Sequence, residues 1–294
     1  MKKLLCLILA LSMCLCLFAC GGKDNSGSDD TATPSGGADA KDADGAKDDA
    51  PADDSAASDD SDSAYVKGKG TLVVGITNFE PMDYQDETGK WIGFDADMAA
   101  AFAESLGVSV EFIEIDWDSK ILELNAKSID CVWNGMTLTD EVLGSMECSK
   151  PYCNNAQVVV VNSTVADKYQ TEDSLSELSF AVEAGSAGEK AVNALGLNAT
   201  AVLTQADALM EVAAGTSDAC VIDLLMAGAM IGEGTSYPDL TYTVELTTEE
   251  YGVGFRKGSD LAELFNSFYA DAFEAGTVKD IASVYGVQES IICK

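Results

Sequence analysis

The chain is predicted to fold as an α/β protein of two lobes joined by two crossovers. Three observations carry this. Strand-like and helix-like patterns alternate from residue 71 to 133, and the alternation restarts after Pro151 and Tyr152. Three loops, at Thr137, Ser186 and Asp223, each follow a predicted strand and open a predicted helix. In sheets of this kind ligands bind at the loops after the strand C-termini. Taken singly, each loop also reads as an ordinary connection, because every α/β protein has capped helices.

Two segments precede the folded part. Residues 1–19 read as a secretory signal, with Lys2 and Lys3 before an apolar run over 4–18 that is too short for a comfortable membrane span. The signal ends Leu17-Phe18-Ala19-Cys20, followed by Gly21-Gly22, which looks like the lipobox of bacterial lipoproteins. In that reading Cys20 is lipidated and becomes the mature N-terminus; the alternative is a plain signal peptide with a chance cysteine. From 20 to 66 an acidic tether is expected: residues 21–64 are almost wholly Asp, Ala, Ser and Gly, with little to fill a core, and their charge extends them. The folded domain is expected over 67–294.

The formal net charge of −33, with no basic stripe, argues against nucleic acid and anionic lipid as partners and leaves a lipid anchor as the expected membrane contact. There is no histidine, which removes the commonest metal ligand and general base. No cofactor or metal is expected. Of nine cysteines, Cys6, Cys14 and Cys16 leave with the signal. Cys131, Cys148, Cys153, Cys220 and Cys293 remain, without metal-site spacing. Cys131, Cys148 and Cys220 sit in apolar, strand-like surroundings, and a Cys148–Cys153 bridge is left open.

In chain order, residues 71–76 are a continuous β-branched apolar run suited to a buried parallel strand. A polar turn with Asn78, Phe79, Glu80 and Pro81 follows, then a hairpin return over 89–94. Asp95 is expected to cap a helix through Leu106, whose Met98, Phe102 and Leu106 recur every four residues, and Gly107 ends it. A strand over 108–115, a helix capped by Asp118 and a strand over 129–133 complete the first set. That strand breaks at Asn134 and Gly135 into a polar loop with Thr137, and Thr139 caps the next helical turn. Free amides and hydroxyls there suit a small polar or anionic group.

The second set has strands over 156–161, 178–182, 199–203 and 219–222, with a helix over 205–214. Ser186 and Glu189 form the pattern of a capping box, and Asp223 caps a helix through Ile231. The closing segments, a strand over 251–255 and helices over 261–275 and 278–284, are returned to the first lobe, which makes two crossovers and a hinge. Lobe 1 is expected over about 67–155 plus 246–294, and lobe 2 over about 156–245.

With these residues in view, the chain resembles the extracytoplasmic amino-acid-binding proteins of ABC transporters, the solute-binding family that includes the glutamine- and histidine-binding proteins. The resemblance covers about 71–287 and rests on GFDADMA from Gly93, DWD from Asp116, NGMTLTDE from Asn134, SKPY from Ser149, EAGSAGE from Glu183 and VID from Val221. It implies the two-lobed periplasmic-binding-protein fold, with a ligand between the lobes. It implies that Phe79 and Trp117 sandwich the ligand, that Gly135, Thr137 and Ser186 meet its carboxylate, and that Asp223 binds its α-ammonium. Asn78, Asn134 and Glu183 complete the expected ligand-binding set. Without the family, Phe79 and Trp117 also read as core aromatics and Asp223 as a helix cap, a role compatible with binding a ligand.

One departure is plain. Where the family carries an arginine for the ligand carboxylate, this chain has Val142, after Thr139-Asp140-Glu141. The sole arginine, Arg256, reads as a surface residue. With Glu183 and Asp223 near the cleft, a cationic ligand is expected to bind better than an anionic one. The resemblance implies a monomeric, lipid-anchored, extracytoplasmic subunit that is not an enzyme and hands an amino acid or cationic amine to an ABC permease and its ATPase. Two alternatives stand: a dehydratase acting on arogenate or prephenate, and a sensing protein without transport. One arginine and no histidine supply the dehydratase poorly.

Overall fold

The structure is a computed structural model describing residues 61–294. The signal segment, Cys20 and the tether up to residue 60 lie outside the described residues. In chain order the elements are α1 Asp62–Lys69, β1 Thr71–Ile76, β2 Tyr84–Gln85, β3 Trp91–Ile92, α2 Phe94–Leu106, β4 Ser109–Glu114, α3 Lys120–Asn125, β5 Cys131–Val132, α4 Asp140–Ser145, β6 Glu147–Cys148 and β7 Cys153–Asn162. There follow β8 Phe180–Glu183, α5 Ala187–Ala194, β9 Ala199–Val202, α6 Gln205–Ala214, β10 Ala219–Asp223, α7 Leu224–Met230, β11 Leu240–Tyr251, β12 Gly254–Phe255, α8 Leu261–Glu274 and α9 Thr277–Val284.

Two five-stranded sheets make the two lobes. The first runs β4-β1-β5-β12-β6, with β1 parallel to β4 and β5, and β12 antiparallel to β5 and β6. The second runs β11-β7-β10-β8-β9, with β10, β8 and β9 mutually parallel and β7 and β11 antiparallel to their neighbours. The chain enters the second sheet along β7 and leaves it along β11, and the two pair from Cys153↔Tyr251 to Asn162↔Leu240. These strands are the two crossovers. Burial marks the core strands: Leu72, Val74 and Ile76 of β1 are fully buried, as are Val158 and Val160 of β7 and Ile222 of β10. In lobe 1 the core is aromatic, with Trp133 edge-on to Phe265 at 4.9 Å and Phe102 at 5.5 Å from the same ring.

Four local expectations are corrected. Helix α1 begins inside the stretch expected to be tether, because partners remote in sequence hold it. Arg256 Nε donates to both Asp62 carboxylate oxygens at 3.0 Å, and Ser63 N donates to Asp260 Oδ1 at 2.9 Å. For the same reason Arg256 is not a surface residue: it is 8 % exposed, donating also to Ile129 O at 2.8 Å and Asp130 Oδ1 at 3.2 Å. Lys69 completes the neutralisation of buried Asp130 at 2.5 Å. Asp95 does not cap α2. That helix starts at Phe94 behind Gly93, which approaches the Met82 carbonyl so closely that a Cβ would lie 2.1 Å from its oxygen, and the Asp95 carboxylate turns inward. Asp118 likewise sits within a 3-10 turn, Trp117–Ser119, rather than capping α3.

The five cysteines among the described residues are free. Cys131, Cys153 and Cys220 are buried and Cys148 half-buried, so the Cys148–Cys153 bridge left open by spacing is not formed. No helix among the described residues is long and apolar enough to cross a membrane.

Candidate functional site

A cleft between the lobes is walled by loops at strand ends. Lobe 1 contributes Phe79 after β1, Trp117 after β4 and Asn134, Gly135 and Thr137 after β5. Lobe 2 contributes Glu183 at the end of β8, Ser186 ahead of α5 and Asp223 at the end of β10. Of the residues nominated from the sequence only Asn78 is elsewhere: it is exposed and does not line the cleft, because the chain turns at Thr77 and sends Phe79 inward instead. The cavity volume is only about 20 Å³. The walls are nearly in contact, so entry requires the lobes to part.

Local folding explains the placements. Phe79 is 2 % exposed and packs edge-on to Tyr251, ring centroids 6.4 Å apart. Gly135 has φ 53°, a left-handed value, and a Cβ there would lie 2.4 Å from Phe79 Cε1. Ser186 is an N-cap whose hydroxyl accepts from Glu189 N at 3.0 Å, as its spacing implied. Glu189 reaches back to the Gly185 amide at 2.8 Å rather than to that of Ser186, so the capping box closes one residue early.

Two nominated donors are engaged within the protein. Gly135 N donates to Asp95 Oδ2 at 2.7 Å, and the Thr137 hydroxyl donates to Glu249 Oε1 at 2.9 Å. Asn134 is buried and spends its amide on Thr77 and Asp83, so it shapes the loop. Beneath that loop Asp83 and Asp95 are fully buried, each with one oxygen unpartnered. Burial pushes the Asp95 carboxyl up to about 7 against the pull of the Tyr152 hydroxyl and the Gly135 amide. Burial, and then the Asp95 charge, raise Asp83 well above the usual carboxylate range as well.

The acidic end of the cleft is denser than the sequence indicated. Asp223 is 3 % exposed and makes no side-chain cap to α7. Its carboxylate accepts instead from Gln157 Nε2 at 2.8 Å, from the Tyr251 hydroxyl at 2.6 Å, and from the Asn155 and Gln205 amides. Asn155 and Gln157 also donate to Glu249 Oε1, each at 2.7 Å, which brings a second carboxylate alongside. Burial first, and then the Glu249 charge, holds Asp223 well above the usual carboxylate range. Glu183 is 2 % exposed, and its Oε1 is buried without a hydrogen-bond partner. Burial pushes its carboxyl up to about 8, partly opposed by Lys120.

Sequence reasoning missed Lys120, Gln157, Gln205 and Tyr251. Lys120 and the two glutamines line the cleft, and Tyr251 stands behind it on the hinge strand. Gln205, Tyr251 and Gln157 stand 18, 28 and 66 residues from Asp223 in sequence and meet it only because β7, β10, β11 and α6 converge. Both acids have one chemical meaning: a carboxyl raised by burial regains its charge when a cation arrives beside it.

A family model described as bacterial extracellular solute-binding proteins, family 3, matches residues 72–288. The chain is 28% identical over 222 residues to the L-cystine-binding protein TcyJ of Escherichia coli, covering 74% of this chain and 83% of that protein. It is 28% identical over 286 residues to the L-cystine-binding protein TcyA of Bacillus subtilis, covering 96% of each. Among solved structures it is similar to a mutant of the T. maritima protein ArgBP, with TM-score 0.71, 30% identity and coverage of 76% of this chain and 98% of that one. It is also similar to an ancestral amino acid-binding protein described as a precursor of cyclohexadienyl dehydratase, with TM-score 0.69, 29% identity and the same coverage.

Proposed function

The chain belongs to family 3 of the bacterial extracellular solute-binding proteins, and from that premise we propose that it is a lipid-anchored subunit that captures an amino acid bearing a second cationic nitrogen, or a cationic amine, and hands it to an ABC permease and its ATPase. The observation that carries the ligand class is the pair of buried carboxyls in the cleft, Glu183 and Asp223, one of them with an unpartnered oxygen. A buried acid without a counter-charge is costly, and a ligand cation relieves that cost. Asp223 takes the α-ammonium, Glu183 the second cation, and Phe79 and Trp117 hold the aliphatic body between them. Ser186 keeps a hydroxyl proton free after accepting its helix cap, and that proton faces a ligand carboxylate. Relatives named for cystine, arginine and histidine support an amino acid with more than one nitrogen.

The dehydratase alternative gains little support. The relatives are named as binding proteins, and the neighbour on the line to a dehydratase is itself named an amino acid-binding protein. Turnover of arogenate or prephenate by the purified protein would restore it. Thermal-shift screening against arginine, lysine, histidine, cystine, glutamine and glutamate tests the ligand class, because a ligand specific to the folded state raises its melting temperature. Arginine, lysine, histidine or cystine is expected to give the largest shift, and a largest shift from glutamate would contradict the reading. Anchoring rests on Cys20: wild type is expected to partition into detergent, and Cys20→Ala to lose that partitioning. Equal partitioning of the two would remove the anchor.

A further inference from the structure

Lys120 is the buried cation of the cleft. It opens α3 beside Trp117, is 7 % exposed and lines the cavity. Its ammonium donates to Trp117 O at 3.0 Å and, across the cleft, to Gly185 O at 3.1 Å, with Nζ 4.8 Å from the Trp117 ring centroid. These carbonyls occupy two of the three donors an ammonium has. Among the described residues no carboxylate lies within ion-pair distance of it, whereas Lys69, Lys190, Lys294 and Arg256 are all paired. Neutral acceptors alone compensate a buried cation poorly. Burial accordingly pulls Lys120 below the ordinary lysine range, Lys190 pushes the same way, and the more distant Glu141, Glu183 and Asp118 oppose.

From this geometry we infer that Lys120 supplies the cation that meets the ligand's carboxylate, in place of the arginine absent at Val142. The assignment rests on the ligand being an amino acid, as proposed above. Val142 lines the same cavity and is 2 % exposed, so it offers only an apolar wall. The lobe 1 donors nominated from the sequence are taken, Gly135 N by Asp95 and the Thr137 hydroxyl by Glu249. On the facing wall Ser186 and Ala187 open α5, whose first amides have no partner within the helix. A carboxylate between Lys120 and the start of α5 touches both lobes at once. Binding therefore reinforces the link that Lys120 already makes to Gly185, and capture and closure become one event.

A lysine that only latches the lobes shut would weaken every ligand alike, whereas a carboxylate contact is selective. The test compares an amino acid with the amine left when its carboxylate is removed. Wild type, Lys120→Met and Lys120→Arg are titrated with L-arginine and agmatine, and with L-histidine and histamine, each variant's ligand-free melting temperature confirming that it folds. Lys120→Met is expected to lose about 10- to 100-fold in affinity for the amino acid and less than about twofold for its amine, the worth of one charge-assisted contact. Lys120→Arg is expected to keep the preference for the amino acid, which controls for a fold defect in the methionine variant. Equal losses for both members of a pair overturn the lysine assignment while leaving the ligand class intact. A wild type that binds glutamate and not arginine overturns the ligand class alone, and the comparison then runs on glutamate and γ-aminobutyrate. A wild type that binds no amino acid overturns both.

Discussion

At the scale of single residues the protein is governed by acids placed where water cannot reach them. In the ligand-free fold Glu183 keeps its proton up to about pH 8, whereas in the unfolded chain it loses it near 4.5. The folded form thus holds a proton that the unfolded form releases, so this contribution to stability is complete below about 4.5 and is lost as pH rises toward about 8. Glu183→Gln is expected to raise the ligand-free melting temperature at pH 8 and to leave it unchanged near pH 4; thermal melts of both proteins at the two pH values check this. A cation bound beside Glu183 favours its ionised form, so binding near neutral pH is expected to release protons. Calorimetry in buffers of different ionisation enthalpy measures that release. It should fall in Glu183→Gln without vanishing, since Asp223 is raised as well. The aromatic contact has its own signature: Trp117→Ala is expected to weaken binding by about tenfold or more, at least 1 kcal/mol, and unchanged affinity would remove Trp117 from the site. Asp223 was legible because it ends a strand and opens a helix, and Glu183 from its place at a strand end; Phe79 and Trp117 were reached only through the family resemblance. Lys120 was not legible, because a lysine at the start of a helix reads as solvated. Nothing local shows that Gly185 of the other lobe closes over it.

At the scale of elements, the fit between lobes is controlled where backbone meets backbone. Gly185 has φ 69°, and a Cβ there would lie 2.7 Å from Asp118 Oδ1 and 2.8 Å from Asp118 Cα, on the opposite lobe. Gly185→Ala is therefore expected to prop the cleft open, weakening ligand affinity by about tenfold or more, and also to lower the ligand-free melting temperature, because an alanine at φ 69° is strained. Small-angle scattering and titration on one sample check the opening and the loss of affinity. A further crossing contact, Lys190 to Glu141 at 2.5 Å, is solvent-exposed on both sides and is expected to contribute less than about 1 kcal/mol. Helix α1 is a different case. Arg256 and Lys69 neutralise Asp130, which has no exposure at all, so Arg256→Leu is expected to destabilise the protein by about 3 kcal/mol or more, measured by denaturant unfolding. Most elements were legible from apolar period and caps, and α6 falls on the expected 205–214. Strand β11 was not, since LTYTVELTTEEY is largely polar. It lies at the edge of its sheet and buries only Leu240, Val244 and Tyr251, so the apolar signal of a core strand is absent. The polar composition that suggested a tether through residue 66 misled because α1 is held mainly by charge pairs and hydrogen bonds, with Val66 as its buried apolar anchor.

At the scale of the whole molecule, two sheets joined by β7 and β11 make a clamp whose jaws carry complementary chemistry. Lobe 1 brings the aromatic walls and one buried lysine; lobe 2 brings the acids. Neither jaw alone surrounds a small ligand, and a ligand contacting both favours the closed form by its differential affinity for it. The two lobes were legible because the strand-helix alternation restarts after Tyr152, and the cleft followed from where such sheets bind. The charge balance inside the cleft was only half legible, since its acids stand in loops and its cation in a helix. The central claim is that this cleft selects an amino acid for its second positive charge. Isothermal titration of wild type and Glu183→Gln with L-arginine and L-glutamate tests it most directly. The expected result is saturable arginine binding at least about tenfold tighter than glutamate binding, with arginine affinity lost in Glu183→Gln by about the same factor. Glutamate binding more tightly than arginine, or arginine affinity unchanged in Glu183→Gln, would contradict it.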